Sequence, residues 1–313
     1  MTTVILGAGL TGLLAKFYIK DSILIGDEIG GENSRANFPL GPRFLKKTKE
    51  TLDLLEDLNL PVKEKTVKIG YYYNNRVHDI IPKNLIVKYY EKTRGISLDS
   101  YNVPESTMSN GNNVFSALDV NFDLLISTLK SKISENSSNN IIIDNIKKIN
   151  LKKQLLKGEK NTYKYDVLIT TIPLPDFIKI SKIKTSINFE YLPITYLYLK
   201  CMNDNLDLRF DGYSYIYFPE KNIKFYRITK TNNSKFVFEF PFIIKPTQLR
   251  KHINLKYFMF LNVYYSKYGH FKELKKDSIS FPNNIKMLGR YAEWRHLRVH
   301  DTLRRIREIN ANN

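Results

Sequence analysis

Little in this sequence can be oxidised, chelated or threaded through a bilayer. Its single cysteine, Cys201, rules out an internal disulfide framework and any multi-cysteine zinc or iron–sulfur site. Five scattered histidines supply no metal-ligand spacing, so no metal is expected. No run reaches the ~18 apolar residues that a spanning helix needs. The first stretch, residues 1–19, is apolar but has no basic leader and contains a glycine-rich turn, so it does not read as a secretory peptide. There is no internal repeat, no low-complexity linker, and no Ser/His/Asp or paired-carboxylate constellation. These absences lead to the expectation of a reduced, globular, cytoplasmic protein without a membrane span.

What is present is bulk and positive charge. At 313 residues, with 42% hydrophobic and 13% aromatic residues, the chain can build one or two domains without a disulfide or metal staple. Lys+Arg total 49 against 31 Asp+Glu, a formal charge of +18. Such an excess concentrates anions and speeds their association. It suggests a small anionic substrate, a nucleic acid or an acidic surface. The alternative is compositional, since Lys, Asn, Ile and Tyr are all abundant and many lysines can be plain solvated surface. Oligomeric state is not legible.

The first segment carries the most information. Val4-Ile5-Leu6 reads as a short buried strand, Gly7-Ala8-Gly9-Leu10-Thr11-Gly12 as a tight turn, and Leu13 to Ile19 as an apolar helix. A second strand, Ser22 to Gly26, ends on Asp27-Glu28. Strand, glycine turn, helix, strand and acid together open a dinucleotide-binding domain. One glycine permits the turn, one admits the pyrophosphate, and one lets helix and strand pack closely. The helix N-terminus offers free N–H groups to the phosphates, and Asp27 or Glu28 would accept from a ribose hydroxyl. Gly30-Gly31 follow, then Gly41-Pro42-Arg43.

Further along, Thr48 to Leu58 reads as an amphipathic helix, and Val62 to Tyr73 with Arg76 to Ile80 as a hairpin turning at Asn74-Asn75. Residues 83–93 suggest a helix and 95–113 a long polar loop or lid. Asn121 to Ile133 is helical. Strands are expected at 141–143, 146–151, 165–172, 191–201, 213–219, 225–228, 236–240 and 285–288. Residues 249–268 read as a helix, and a basic helix runs from about His300 to Asn310.

Four separated pieces agree with one superfamily: GAGLTG with Gly30-Gly31, Asp166 to Pro175 (DVLITTIPLP), Tyr215 to Arg227 (YIYFPEKNIKFYR) and Gly289 to Trp294 (GRYAEW). Together they resemble the FAD-binding proteins that include UDP-galactopyranose mutases, protoporphyrinogen oxidases and amine oxidases, and the last two motifs most resemble mutases. The resemblance implies FAD as cofactor and an α/β fold, a Rossmann-like FAD-binding domain with an inserted α+β substrate domain carrying an antiparallel sheet. The expected FAD domain is discontinuous (1–70, 114–190 and 280–313), with 71–113 and 191–279 forming the substrate domain.

Carried over by position, Gly7, Gly9, Leu10, Thr11 and Gly12 would hold the pyrophosphate and Asp27 or Glu28 the ribose. Gly30, Gly31, Gly41, Pro42 and Arg43 would lie beside the cofactor, as would Gly289 and Arg290 where the chain returns. Tyr217 and Arg227 match positions that contact a substrate diphosphate in mutases, and Trp294 with His296 would face the substrate. On the residues alone, the alternating tyrosines can equally be cross-strand core pairs, Arg227 can pair with Glu239, and Trp294 can simply pack. Arg295-His296 stands where mutases place a tyrosine, and their second substrate arginine has no counterpart here. No catalytic side chain is singled out, because the flavin would carry the chemistry. The readings are therefore an FAD-dependent oxidoreductase acting on an anionic nucleotide-sugar or nucleic-acid-linked substrate, a mutase-like isomerase using reduced flavin, or a non-catalytic nucleic-acid binder whose basic tail (Arg290, Arg295, Arg298, Arg304, Arg305 and Arg307) contacts phosphates.

Overall fold

The structure is a computed structural model, and it describes residues 1–31, 44–93, 114–136, 141–203, 210–231, 234–249, 255–275 and 279–311. Gly41, Pro42, Arg43 and the polar stretch 95–113 lie outside the described residues. The chain forms two units. The first is Met1–Glu64, Leu118–Phe189 and Glu273–Asn313; the second is Lys65–Ala117 and Glu190–Lys272.

The first unit is organised by a five-stranded sheet. Strand β1 (Thr3–Leu6) lies between β2 (Ser22–Gly26) and the strand Val167–Thr170, with Ile141–Ile143 and Ile285–Met287 at the edges. All four pairings are parallel, Ile5 standing level with both Leu24 and Ile169. Strands covered on both faces need unbroken apolar runs rather than alternation. Val4 and Ile5 on β1, and Leu168 and Ile169 beside it, are fully buried. Helix α1 (Leu10–Tyr18) leads from β1 to β2, whereas the strand on the other side of β1 arrives much later in the sequence. The strand order therefore reverses next to β1, and a crevice opens at such a reversal, at the carboxyl ends of the strands.

Leu10, Leu13 and Leu14 of α1 pack into a core with Leu125, Ile126 and Leu129 of the helix Phe122–Asn136 and Leu303 and Ile306 of the terminal helix Val299–Ala311. The i, i+3, i+4 spacing gives each helix one apolar stripe to contribute. Lys16 is buried on the same helix, and its ammonium donates to the carbonyls of Lys20 and Ser22, both at 2.6 Å, closing the link into β2. The helix Lys49–Asp57 starts on a capping box formed by Thr48 and Thr51. It presents Glu50 and Asp53 to the terminal helix: Arg304 reaches Glu50 at 3.0 Å and Arg307 reaches Asp53 at 2.7 Å.

A three-stranded antiparallel meander, Ile146–Asn150, Leu155–Gly158 and Thr162–Lys164, completes this unit. Asp144 secures its second turn by accepting from the backbone N–H groups of Glu159 (2.9 Å) and Asn161 (3.1 Å) and from the Tyr163 hydroxyl (2.8 Å).

The second unit is built on a larger sheet in the order Phe258–Phe271, Tyr191–Cys201, Lys235–Phe240, Arg227–Lys230, Tyr215–Tyr217, Glu64–Tyr73 and Val114–Leu118. Tyr215–Tyr217 runs parallel to Glu64–Tyr73, while the pairings from Tyr215–Tyr217 through to Phe258–Phe271 are antiparallel. Phe236, Phe238, Leu197, Leu199 and Ile228 fill one side of it.

One expected element is overturned. The helix expected over 249–268 does not run its length: residues 250–254 lie outside the described residues, and beyond them a short turn at Leu255–Tyr257 leads into the strand Phe258–Phe271, which pairs along Tyr191–Cys201 with Leu197 opposite Val263. The apolar spacing of the segment fits either period. Its phenylalanines, tyrosines and valine favour a pleated surface once a partner strand is present. Among the described residues, no helix is long and apolar enough to cross a membrane, and no group of three or more His, Cys, Asp or Glu residues is placed to hold a metal.

Candidate functional site

The candidate site lies in the first unit, where β1 ends. Gly7 sits at φ +105°, and a methyl group there would lie 2.4 Å from Thr171 Oγ1. Thr171 fixes the turn from the neighbouring strand, its hydroxyl placed 3.0 Å from the Gly7 carbonyl and 3.1 Å from that of Leu6. Gly9 is the N-cap of α1 and carries no side-chain cap, so the first-turn N–H groups at Leu10, Thr11 and Gly12 face outward uncapped. A methyl on Gly9 would meet nothing within 4 Å. Gly12 is the opposite case: its added carbon would lie 1.8 Å from the Gly7 carbonyl oxygen, so the helix can approach the turn only without a side chain.

The second glycine pair is brought to the same place. Gly30 donates to the Ala8 carbonyl at 2.8 Å and bridges Gly9, and Gly31 approaches Gly9 closely. Of the two acids, Asp27 is exposed and accepts from the Glu28 N–H at 3.1 Å; Glu28 is half-buried, with its Oε1 enclosed. Glu28 is thus the better placed to accept from a hydroxyl held against the turn.

The far end of the chain returns to this point. Leu288 donates to the Thr170 carbonyl at 3.0 Å, and Gly289 presses on Thr11, where an added carbon would lie 2.7 Å from its methyl. Glu293 ties the segment into a turn, its N–H donating to the Gly289 carbonyl at 2.9 Å while its carboxylate accepts the Gly289 N–H at 3.1 Å. Burial pushes the Glu293 carboxyl above the usual carboxylate range. Arg290 is half-buried beside Tyr291, 5.9 Å from its ring. Trp294 and His296, expected to face the substrate, are enclosed. Trp294 is fully buried at φ +52° and meets the edge of Phe189 at 5.4 Å, and the His296 N–H donates to Glu273.

The other two expected substrate contacts belong to the second unit, and there the structure gives Arg227 to Glu239. Its guanidinium donates twice, Nε to Oε1 at 3.0 Å and Nη2 to Oε2 at 2.8 Å, and the Tyr226 hydroxyl donates to the same carboxylate at 2.5 Å. Arg227 is 5% exposed and Glu239 not at all, so this is a buried ion pair across neighbouring strands, with Arg227 opposite Glu239 in the register. The ring of Tyr215 lies 5.3 Å from the guanidinium and that of Tyr217 6.0 Å. Tyr217 also stacks on Tyr71 at 6.0 Å, and these two with Ile81, Ile86 and Tyr89 line a small cleft.

The sequence reading missed Tyr71. It is 1% exposed, its hydroxyl has no hydrogen-bond partner among the described residues, and burial raises its pKa well above the ordinary phenol value. The Tyr71-Tyr72-Tyr73 run was a visible signal without a direction attached. Lys92 was also missed. Its ammonium donates to the carbonyls of Phe218 at 2.7 Å and Glu220 at 3.0 Å, and burial lowers its pKa to about 7. Because the unfolded lysine titrates near 10.4, the unfolded chain binds the extra proton between those two values, and stability should rise with pH from about 7 to about 10. Urea midpoints across that range should show the rise, and Lys92→Met should flatten it; an unchanged pH slope in the variant would assign the effect elsewhere.

No protein-family model matches the chain, and no curated protein matches its sequence. Solved structures do match in fold. A putative protoporphyrinogen oxidase from Exiguobacterium sp. 255-15 superposes with a TM-score of 0.69 at 13% identity, covering 100% of this chain and 99% of that one. A reduced UDP-galactopyranose mutase gives 0.67 at 12% identity, with 100% and 96% covered. Cyclohexylamine oxidase from Brevibacterium oxydans IH-35A gives 0.66 at 8% identity, with 99% and 98% covered. The chain therefore has the two-unit α/β fold shared by these oxidases and this mutase over essentially its full length.

Proposed function

We propose that the chain is an FAD-dependent enzyme of the oxidoreductase type. The observation that carries this reading is the uncapped N-terminus of α1 behind the Gly7–Gly12 turn, set where the strand order reverses. The first-turn N–H groups and the positive end of the helix suit a pyrophosphate, and no atom of the described residues lies within 4 Å of a methyl placed on Gly9. Glu28 suits the ribose, and Gly289 with Arg290 closes the far side. The residues present fit the cofactor. Bound FAD would supply a two-electron acceptor for the hydride of a substrate C–H bond, a proton leaving the neighbouring nitrogen or carbon as the C–N or C–C bond becomes double. The chain's own contribution is then binding and orientation, which agrees with the absence of an acid–base pair among the residues placed here.

The substrate is proposed to be small and anionic, drawn in by the positive field. Between oxidation and isomerisation, the second unit favours oxidation. A mutase-like reading needs Arg227 to grip a diphosphate, and its guanidinium is buried with Nε and Nη2 already donating to Glu239.

A purified preparation should be yellow, or become so on reconstitution, with quenching of free flavin fluorescence giving the affinity. Glu28→Gln should weaken FAD binding about tenfold, the value of one hydrogen bond to a charged group. Protein that neither carries nor takes up FAD would sink the proposal. Peroxide formed from an amine without added reductant supports the oxidase reading, whereas turnover of a UDP-sugar only after dithionite would replace it with the mutase one.

A further inference from the structure

The chain's surplus of positive charge is unevenly neutralised. On the terminal helix, Arg304, Arg305 and Arg307 each meet a carboxylate, from Glu50, Glu308 and Asp53 respectively. Three of the six arginines of the basic tail are thus paired within the fold. The meander is different. Lys148, Lys152, Lys153, Lys157 and Lys164 are all exposed, and none has an ion-pair partner among the described residues. Its acids are used elsewhere: Asp144 secures the turn, and Glu159 pairs with the bulged Lys147 at 2.8 Å.

The strand register sorts these lysines onto one surface. Lys148 stands directly opposite Lys157, which stands opposite Thr162; Asn150 stands opposite Leu155, which stands opposite Lys164. Ile149, Leu156 and Tyr163 form the alternate row and face the core. Lys148, Lys157 and Lys164 therefore share the outer face, and Lys152-Lys153 project from the turn at its end. Like charges placed directly across a pair of strands oppose folding. A solvated surface gains nothing from that placement, and the adjacent acids, Asp144 and Glu159, are engaged by the turn and by Lys147.

We propose that this outer face docks the phosphate backbone of a nucleic acid, held by charge without base readout. On this face Lys148 and Lys157 are one cross-strand spacing apart and Lys164 lies diagonally from Lys157, interleaved with Asn150 and Thr162, which can donate to phosphate oxygens. It carries no aromatic or arginine anchor of the kind that marks a protein interface, and no apolar wedge for insertion into a bilayer. The proposal is independent of the FAD reading, since the face is complete whether or not the crevice holds a cofactor.

The test is fluorescence anisotropy of the full chain with a labelled single-stranded oligonucleotide across a salt series. Binding should weaken linearly in log–log form. The triple variant Lys148→Glu, Lys157→Glu, Lys164→Glu should lose at least tenfold in affinity, and the slope should fall by about 2, near 0.7 for each phosphate contact removed. A control triple with the same charge change at exposed sites outside the meander, Lys20→Glu, Lys63→Glu, Lys88→Glu, should lose less than about twofold at moderate salt, where charges that touch no phosphate are screened. Thermal melting should show both triples folded, the meander triple about as stable as the parent because one like-charged pair at positions 148 and 157 replaces another. The neutral triple Lys148→Gln, Lys157→Gln, Lys164→Gln should show a smaller loss in the same direction. Equal losses in the meander and control triples would reduce the effect to net charge and overturn the proposal. So would a wild-type chain that ignores the oligonucleotide, or that ignores it while binding phosphatidylserine vesicles.

Discussion

Gly12→Ala should yield a protein that no longer retains FAD and whose first unit is destabilised by about 3 kcal/mol, the upper part of the range for forcing extra volume into a packed site. The new methyl would lie 1.8 Å from the Gly7 carbonyl oxygen, a backbone atom that cannot rotate away. Relief requires either pulling α1 from β1 or opening the turn. The first loses packing of Leu13 and Leu14, both essentially fully buried, and the second breaks the N–H array that faces the phosphates. Gly9→Ala separates fold from ligand. Its methyl meets nothing within 4 Å and its backbone at φ −70° suits alanine, so stability should hold while the methyl occupies the space the pyrophosphate needs. Urea unfolding and flavin fluorescence titration of both variants read the two effects apart. Normal FAD affinity in Gly9→Ala would mean that the crevice is not the cofactor's seat.

Breaking the Arg227–Glu239 pair should be the most costly single change in the second unit. Removing one member of a buried pair leaves the other charge without compensation, at a cost of about 3–5 kcal/mol. Arg227→Met removes the opposite charge from a carboxylate that is wholly buried and keeps the hydrogen bond from the Tyr226 hydroxyl; Glu239→Gln does the same to a guanidinium that is 5% exposed. The double variant Arg227→Met, Glu239→Leu should recover most of the loss, since two apolar side chains of similar size replace both charges together. A denaturation cycle on the full chain measures the coupling. The same variants test the diphosphate role. If Arg227 is structural, Arg227→Met loses stability with little specific loss of nucleotide affinity at temperatures where it stays folded. Full stability combined with lost UDP affinity would instead give the guanidinium to a substrate and reopen the mutase reading.

The parts of this protein that were legible in the sequence are those fixed by neighbours along the chain. A buried strand, a turn that needs φ > 0 at Gly7, a helix start without a capping side chain and a strand ending in acids all occur within the first 28 residues, and each follows from local sterics or from a residue's own polarity. That Glu28 rather than Asp27 turns inward was not legible, because the two differ only in what surrounds them. Residues 258–268 defeated the local reading, as their apolar spacing fits two periods and the strand exists through its pairing with Tyr191–Cys201.

Charge shows the division most clearly. Composition alone established +18, but not where the charge is left uncompensated. Arg304 finds Glu50 across 254 residues of chain, Arg227 finds Glu239 by standing opposite it in a sheet, and Lys148 meets Lys157 through a register. Backbone conformation is decided by the residue and its near neighbours, so the sequence by itself determined the glycine turn, its helix and the kind of ligand that pair can hold. Whether an arginine is a free donor or half of an ion pair depends on which distant segment folding brings beside it, and only the tertiary structure decided that.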